Sequence, residues 1–127
     1  MRITEAEACV MEAVWSAGPA GLSAADLLAQ LCPAHAWSES TARTLIHRLM
    51  LKGALRSTRV PGGGAVYAPT VTRETWLAAE GQGLVDRLFG GELATLVALL
   101  TRERRPPPDD LARLRRLVAE LDASEDD

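Results

Sequence analysis

Apolar positions along this chain recur at helical spacing in six stretches and alternate like strands in one short region. Val10, Met11, Val14 and Trp15 follow Thr4-Glu5-Ala6-Glu7, a capping box. In it the Thr4 hydroxyl accepts from the Glu7 backbone while the Glu7 side chain reaches back. Gly18-Pro19 stops this first helix, and Gly21-Leu22 leaves room for a very short extended piece. A second capping box, Ser23-Ala24-Ala25-Asp26, opens a helix with Leu27, Leu28 and Leu31 inward. Pro33 is expected to end it, and Ala34–Trp37 to form a turn. A third helix starts at Ser38 or Ser40. Its Ala42, Leu45, Ile46, Leu49 and Met50 fall at i, i+3, i+4, i+7 and i+8, one apolar stripe, and Gly53 suits its end. Leu55–Val60 and Ala65–Ala68 read as two strands around Pro61-Gly62-Gly63-Gly64, a hairpin with a flexible tip.

From Arg73 the pattern is helical again. Trp76, Leu77, Leu84, Val85 and Leu88 lead to a break at Gly90-Gly91. Leu93, Leu96, Val97 and Leu100 form another amphipathic run, which Pro106-Pro107-Pro108 interrupts. Leu111, Leu114, Leu117, Val118 and Leu121 make a last helix, with the tail Ser124–Asp127 expected to fray. The fold class is mostly α with a small β-hairpin. Three helices and a hairpin, in that order, predict a winged helix-turn-helix over residues 1–72, followed by a helical region over 73–127.

Composition sharpens this division. At 127 residues and 47% hydrophobic, the chain can build a real core, and with 4% aromatics that core must be aliphatic. Formal net charge is −3, but it is uneven. Residues 1–72 carry six Lys/Arg against five Asp/Glu, whereas 73–127 carry eight against twelve. Arg2 is followed by Thr4, Glu5 and Glu7 rather than an apolar run, so no signal peptide is expected, and no stretch is apolar for long enough to insert in a membrane. A cytoplasmic protein is the expectation, and two cysteines without a disulfide framework fit a reducing compartment.

Within this acidic chain, residues 40–69 carry Arg43, Arg48, Lys52, Arg56 and Arg59 and no carboxylate at all. On the third helix Ser40, Arg43, Thr44 and His47 lie opposite the apolar stripe, with Thr41 and Arg48 flanking them. Hydroxyls and cations on the free face of a helix suit duplex DNA: Ser and Thr reach phosphates or bases, and Arg pairs bidentately with guanine. Arg56 and Arg59 on the hairpin are candidates for the backbone or the minor groove. The alternatives are a merely solvated face, or a winged helix that docks a protein partner in a larger complex. Salt dependence separates DNA binding from docking, because phosphate contacts release counterions.

A lone winged helix touches few base pairs, and two copies on one duplex combine their binding energies. Residues 73–127 are suited to joining them as a homodimer. Trp76, Leu84, Leu88, Leu93, Leu96, Val97, Leu100, Leu114, Leu117 and Leu121 offer more apolar surface than one small domain needs. The alternative is that these helices fold back on the first domain.

Glu7–Trp15, Leu22–Leu27, Ser40–Leu49, Tyr67-Ala68-Pro69 and Leu88-Phe89-Gly90-Gly91, in this order and spacing, resemble the penicillinase-repressor family. That family includes the β-lactamase and methicillin-resistance repressors and copper-responsive relatives. The resemblance implies a homodimeric winged-helix repressor of β-lactam-resistance or stress-response genes. It would bind double-stranded inverted-repeat operator DNA, with Ser40–Lys52 as recognition helix, the hairpin as wing and a carboxy-terminal helical dimerisation region. It makes Thr41, Arg43, Thr44 and His47 groove-facing candidates and lets Arg48 pair within the domain. In the antibiotic-responsive branch a membrane sensor-protease pathway lifts repression by cutting the dimerisation helices. The corresponding segment Leu96–Thr101 contains no Asn-Phe bond, and no cysteine follows Cys32 as in the copper branch.

Other chemistry finds little footing. Cys32-Pro33-Ala34-His35 supplies two metal-ligand types where structural zinc wants four, and Cys9 reads as a small core residue. There is no nucleophile elbow, phosphate loop or histidine pair, so neither an enzyme, a metal site nor a cofactor is expected.

Overall fold

The computed structural model describes residues 2–125 and divides into two compact units, with the boundary between Gly81 and Gln82. The first unit holds α1 (Glu5–Ala17), β1 (Leu22–Ser23), α2 (Ala24–His35), α3 (Glu39–Leu51), β2 (Leu55–Arg59) and β3 (Ala65–Pro69). Helix α4 (Arg73–Phe89) runs across the boundary. The second unit adds α5 (Leu93–Glu103) and α6 (Pro108–Glu125). Asp126 and Asp127, the end of the tail expected to fray, lie outside the described residues.

Helix α1 starts as its sequence requires. The Glu7 N–H donates to Thr4 Oγ1, and the Thr4 N–H donates to Glu7 Oε1, so the capping box is complete. At α2 only half of the expected box forms: the Asp26 N–H donates to Ser23 Oγ, with no return bond from Asp26. Pro33 does not end α2, and Ala34–Trp37 is not a simple turn, because the helix continues to His35. A proline this near the C-terminus removes one helical hydrogen bond without forcing a stop. Termination falls to Ala36, which takes a left-handed conformation (φ 56°), and both its N–H and that of Trp37 donate to the Cys32 carbonyl.

Helix α3 is capped at Ser38, whose Oγ accepts from the Thr41 N–H. It closes in a Schellman arrangement, with Gly53 N–H donating to Met50 and Ala54 N–H to Leu49. Its stripe of Ala42, Leu45, Ile46 and Leu49 is buried against α1 and α2, where Val10, Met11, Val14, Leu27 and Leu31 complete the core. Burying each large aliphatic side chain there contributes about 2 kcal/mol.

The sheet has three strands, not two, in the order β1-β3-β2, all antiparallel. The extra strand is the two-residue β1, with Leu22 opposite Tyr67 and Ser23 opposite Val66. The hairpin tip bends at Val60-Pro61-Gly62-Gly63, with the Gly63 N–H donating to the Val60 carbonyl and Gly62 at φ 94°. Proline then positive φ is the signature of a type II turn. Trp15 Nε1 donates to the Val71 carbonyl at 2.8 Å, and Trp15 meets Trp76 with ring centroids 5.5 Å apart.

In the second unit Pro108 opens α6, with Asp109 and Asp110 in its first turn, where carboxylates complement the helix dipole. Neither α5 nor α6 buries a single residue fully among those described.

Two substitutions should move stability in opposite directions. A Cβ on Gly21 would lie 2.1 Å from the Tyr67 carbonyl oxygen, at φ 83°. Gly21→Ala is therefore expected to cost at least about 2 kcal/mol. Ala36→Gly relieves left-handed strain and should gain roughly 0.5–1 kcal/mol. Urea titrations of both variants check the signs.

Candidate nucleic-acid interface

Burial of one stripe of α3 turns the opposite stripe to solvent. Ser40, Thr41, Arg43, Thr44, His47 and Arg48 are all exposed. Ser40, Arg43, Thr44 and His47, together with Glu39, line one shallow concavity on that face. The hydroxyls are not equivalent. Thr44 Oγ1 donates back to the Ser40 carbonyl at 2.9 Å, which leaves its methyl and a lone pair to offer. Thr41 Oγ1 accepts from Ser38 Oγ at 3.0 Å, so its own proton is available for a phosphate or base.

The cations divide into two sets. Arg43 donates from Nε and Nη2 to Glu39 Oε1, at 3.0 and 2.8 Å. Lys52 turns inward: its Nζ lies 2.6 Å from Glu7 Oε1 and 2.8 Å from the Arg2 carbonyl, so this predicted DNA contact is engaged in an internal bond. Among the described residues Arg48, Arg56 and Arg59 have no carboxylate within salt-bridge distance. Arg56 opposes Ala68 and Arg59 opposes Ala65 in the ladder. Three residues apart on a strand, they project from opposite faces, so the hairpin presents one arginine to each side.

Glu7 is the only polar side chain among the fully buried residues described. Burial pushes its pKa up. The Lys52 hydrogen bond, the two bonds to Thr4 and the Lys52 charge outweigh burial, and the carboxyl is held below its ordinary range. Its Oε2 is buried with no hydrogen-bond partner among the described residues. The ion pair ties the start of α1 to the end of α3, from two segments 45 residues apart in sequence.

Sequence reasoning missed both acidic partners. Glu39 stands one place before the carboxylate-free window, and its i, i+4 spacing to Arg43 was a readable signal. No local pattern links Glu7 to Lys52. Trp76, a dimer-seam candidate by sequence, is half-buried against the first unit's core, and its buried Nε1 has no hydrogen-bond partner among the described residues. Leu84, Leu88, Leu93, Val97, Leu100, Leu117 and Leu121 are exposed, and Leu96 and Leu114 are half-buried. No three His, Cys, Asp or Glu among the described residues are grouped to hold a metal ion. No helix of the described residues is long and apolar enough to cross a membrane.

The family model for the penicillinase repressor matches residues 3–120. The chain belongs to the penicillinase repressor family. It is 26% identical over 96 residues to the penicillinase repressor of Bacillus licheniformis, covering 76% of this chain and 73% of that protein. It is 33% identical over 116 residues to a Latilactobacillus sakei protein described as an uncharacterized 16.5 kDa protein in the ptsI 3′ region, covering 91% of this chain and 77% of the relative. The solution structure of the DNA-binding domain of the repressor BlaI superposes with a TM-score of 0.51 at 29% identity, over 57% of this chain and 84% of that one. The winged helix-turn-helix of this chain is thus the fold of a repressor's DNA-binding domain, and the family is one of transcriptional regulators, not enzymes.

The Glu7 carboxyl predicts an acid sensitivity. Its folded-state pKa lies below the unfolded value of about 4.3, so its contribution is present above that pH and is lost as pH falls through the folded value. Glu7→Gln should flatten the acid side of the stability profile, where stability falls as pH drops below the ordinary carboxylate range. Lys52→Met, which leaves the carboxylate buried and unpaired, should cost about 2–3 kcal/mol at pH 7, given the partial exposure of Lys52. Thermal denaturation across pH reads both effects.

Proposed function

We propose that this protein is a dimeric transcriptional repressor that binds an inverted-repeat DNA operator in the cytoplasm, with α3 as its reading helix. The observation that carries the reading is the outward face of α3. Hydroxyls and an arginine converge there in one concavity, on a helix whose opposite face is locked into the core. In this account residues 1–72 read DNA and 73–127 join two copies. Ser40, Thr41, Arg43, Thr44, His47 and Arg48 meet the groove and adjacent phosphates, while one of Arg56 and Arg59 reaches the backbone from the wing. Lys52 acts from below, holding α3 to α1.

The dimer is supported by what the second unit leaves uncovered. Leu93, Val97, Leu111, Leu114, Leu117 and Leu121 line a groove of about 950 Å³. A helix pair with no fully buried residue does not stabilise itself in water, and a second copy of the same groove supplies the missing apolar partner. Two-fold symmetry then matches an inverted repeat. The genes such a repressor would control in this account are those for β-lactam resistance or stress responses.

Two outcomes are expected. Arg43→Ala should weaken selective duplex binding by about tenfold with the melting temperature unchanged, as measured by fluorescence polarisation; equal affinity would remove Arg43 from the reading surface. Leu114→Glu combined with Leu117→Glu should convert a dimer into a monomer in sedimentation velocity, and a persistent dimer would place the interface elsewhere.

A further inference from the structure

The Glu39–Arg43 pair has a geometry that bears on which sequences are read. Arg43 approaches Glu39 side-on, with Nε and Nη2 both directed at one oxygen, Oε1. Both side chains are well exposed (58% for Arg43, 65% for Glu39), so neither is held by the core. The pair sits on the concavity that also holds Ser40, Thr44 and His47. Arginine has five donors in a planar fork. With its side edge occupied by Glu39, the free donors of Arg43 are those of Nη1 and the outer hydrogen of Nη2. That end-on pair matches the O6 and N7 acceptors of guanine.

We propose that Glu39 is a specificity-determining residue of the α3 face: it orients Arg43 toward guanine and keeps it off the phosphate backbone. The inference rests on the DNA-binding reading above. Its physical basis is twofold. A carboxylate beside the guanidinium neutralises much of the attraction Arg43 would have for a phosphate at any sequence. It also biases the plane of the guanidinium toward the end-on orientation, so less rotamer freedom is lost when guanine is met. An exposed ion pair is itself worth little stability, so the residue can be changed without endangering the fold. Glu39 also repels phosphate directly, and its second oxygen is able to accept from a cytosine N4 amine. Glu39 and Arg43 together therefore favour a G·C pair at the position they meet.

The test uses the full chain and a duplex selected by the wild-type protein from a randomised pool. Wild type, Glu39→Gln, Arg43→Ala and the double variant are titrated against that duplex, against its single-base variants and against a random duplex, at several salt concentrations. Glu39→Gln is expected to bind the random duplex more tightly and to steepen its salt dependence by about one phosphate contact. Its preference for guanine at one position should fall roughly tenfold, with an unchanged melting temperature. In the Arg43→Ala background the same change should leave base preference unaltered. Glu39→Gln with an unchanged base preference, or with both duplexes shifted by one common factor, overturns the proposal while leaving the DNA-binding reading intact. Wild type with no selected duplex and no salt-dependent binding overturns both.

Discussion

Burial of the Ala42/Leu45/Ile46/Leu49 stripe is the constraint from which the functional face follows. A helix with one side packed against α1 and α2 has no freedom to roll. Every residue opposite the stripe is then aimed at solvent in a fixed order. The aliphatic core sets the roll, and the Glu7–Lys52 pair adds a polar tie at the C-terminal end of α3. Buried ion pairs contribute little net stability compared with apolar packing, but breaking one is costly, so the tie acts mainly as a constraint on register. Lys52, a DNA-contact candidate by sequence, is bonded to Glu7 and so helps to position the helix that carries the other candidate cations.

The electrostatics are local. A protein of formal net charge −3 gains no general attraction to a polyanion, and charges beyond about 8 Å are screened at physiological salt. Attraction has to come from the exposed cations of the first unit. Of these, Arg43 is matched by Glu39 and Arg73 by Glu12, whereas among the described residues no carboxylate lies within salt-bridge distance of Arg48, Arg56 or Arg59. The arrangement separates two tasks. In the proposed reading, the unpaired arginines supply phosphate attraction, and Arg43, paired with Glu39, is set up for discrimination.

Most of the fold was legible because its signals are local. The Thr4–Glu7 box, the α3 stripe, the proline-glycine hairpin tip and the double glycine after α4 each act within a few residues. Pro33 misled because proline was weighed as a helix breaker without regard to how near the helix end it stands; only one hydrogen bond was at stake there. The strand β1 was barely legible, since two residues carry no periodicity and its existence depends on Tyr67 and Val66 arriving alongside. Nor could any pattern announce the Glu7–Lys52 bond or the packing of Trp76 on Trp15, which are products of tertiary folding. On the candidate face the exposed positions of α3 were readable from the helical wheel. The division of labour among its cations was not, because it depends on carboxylates outside the basic window.

The central claim is that the outward stripe of α3 is the DNA-reading surface. Backbone amide shifts of the isotope-labelled full chain, followed while a selected duplex is added, test it directly. The account predicts that the largest changes fall on Ser40, Thr41, Arg43, Thr44 and His47, with smaller ones on the β2–β3 hairpin and none concentrated on α6. Changes centred on another surface, with these α3 amides unmoved, would contradict it.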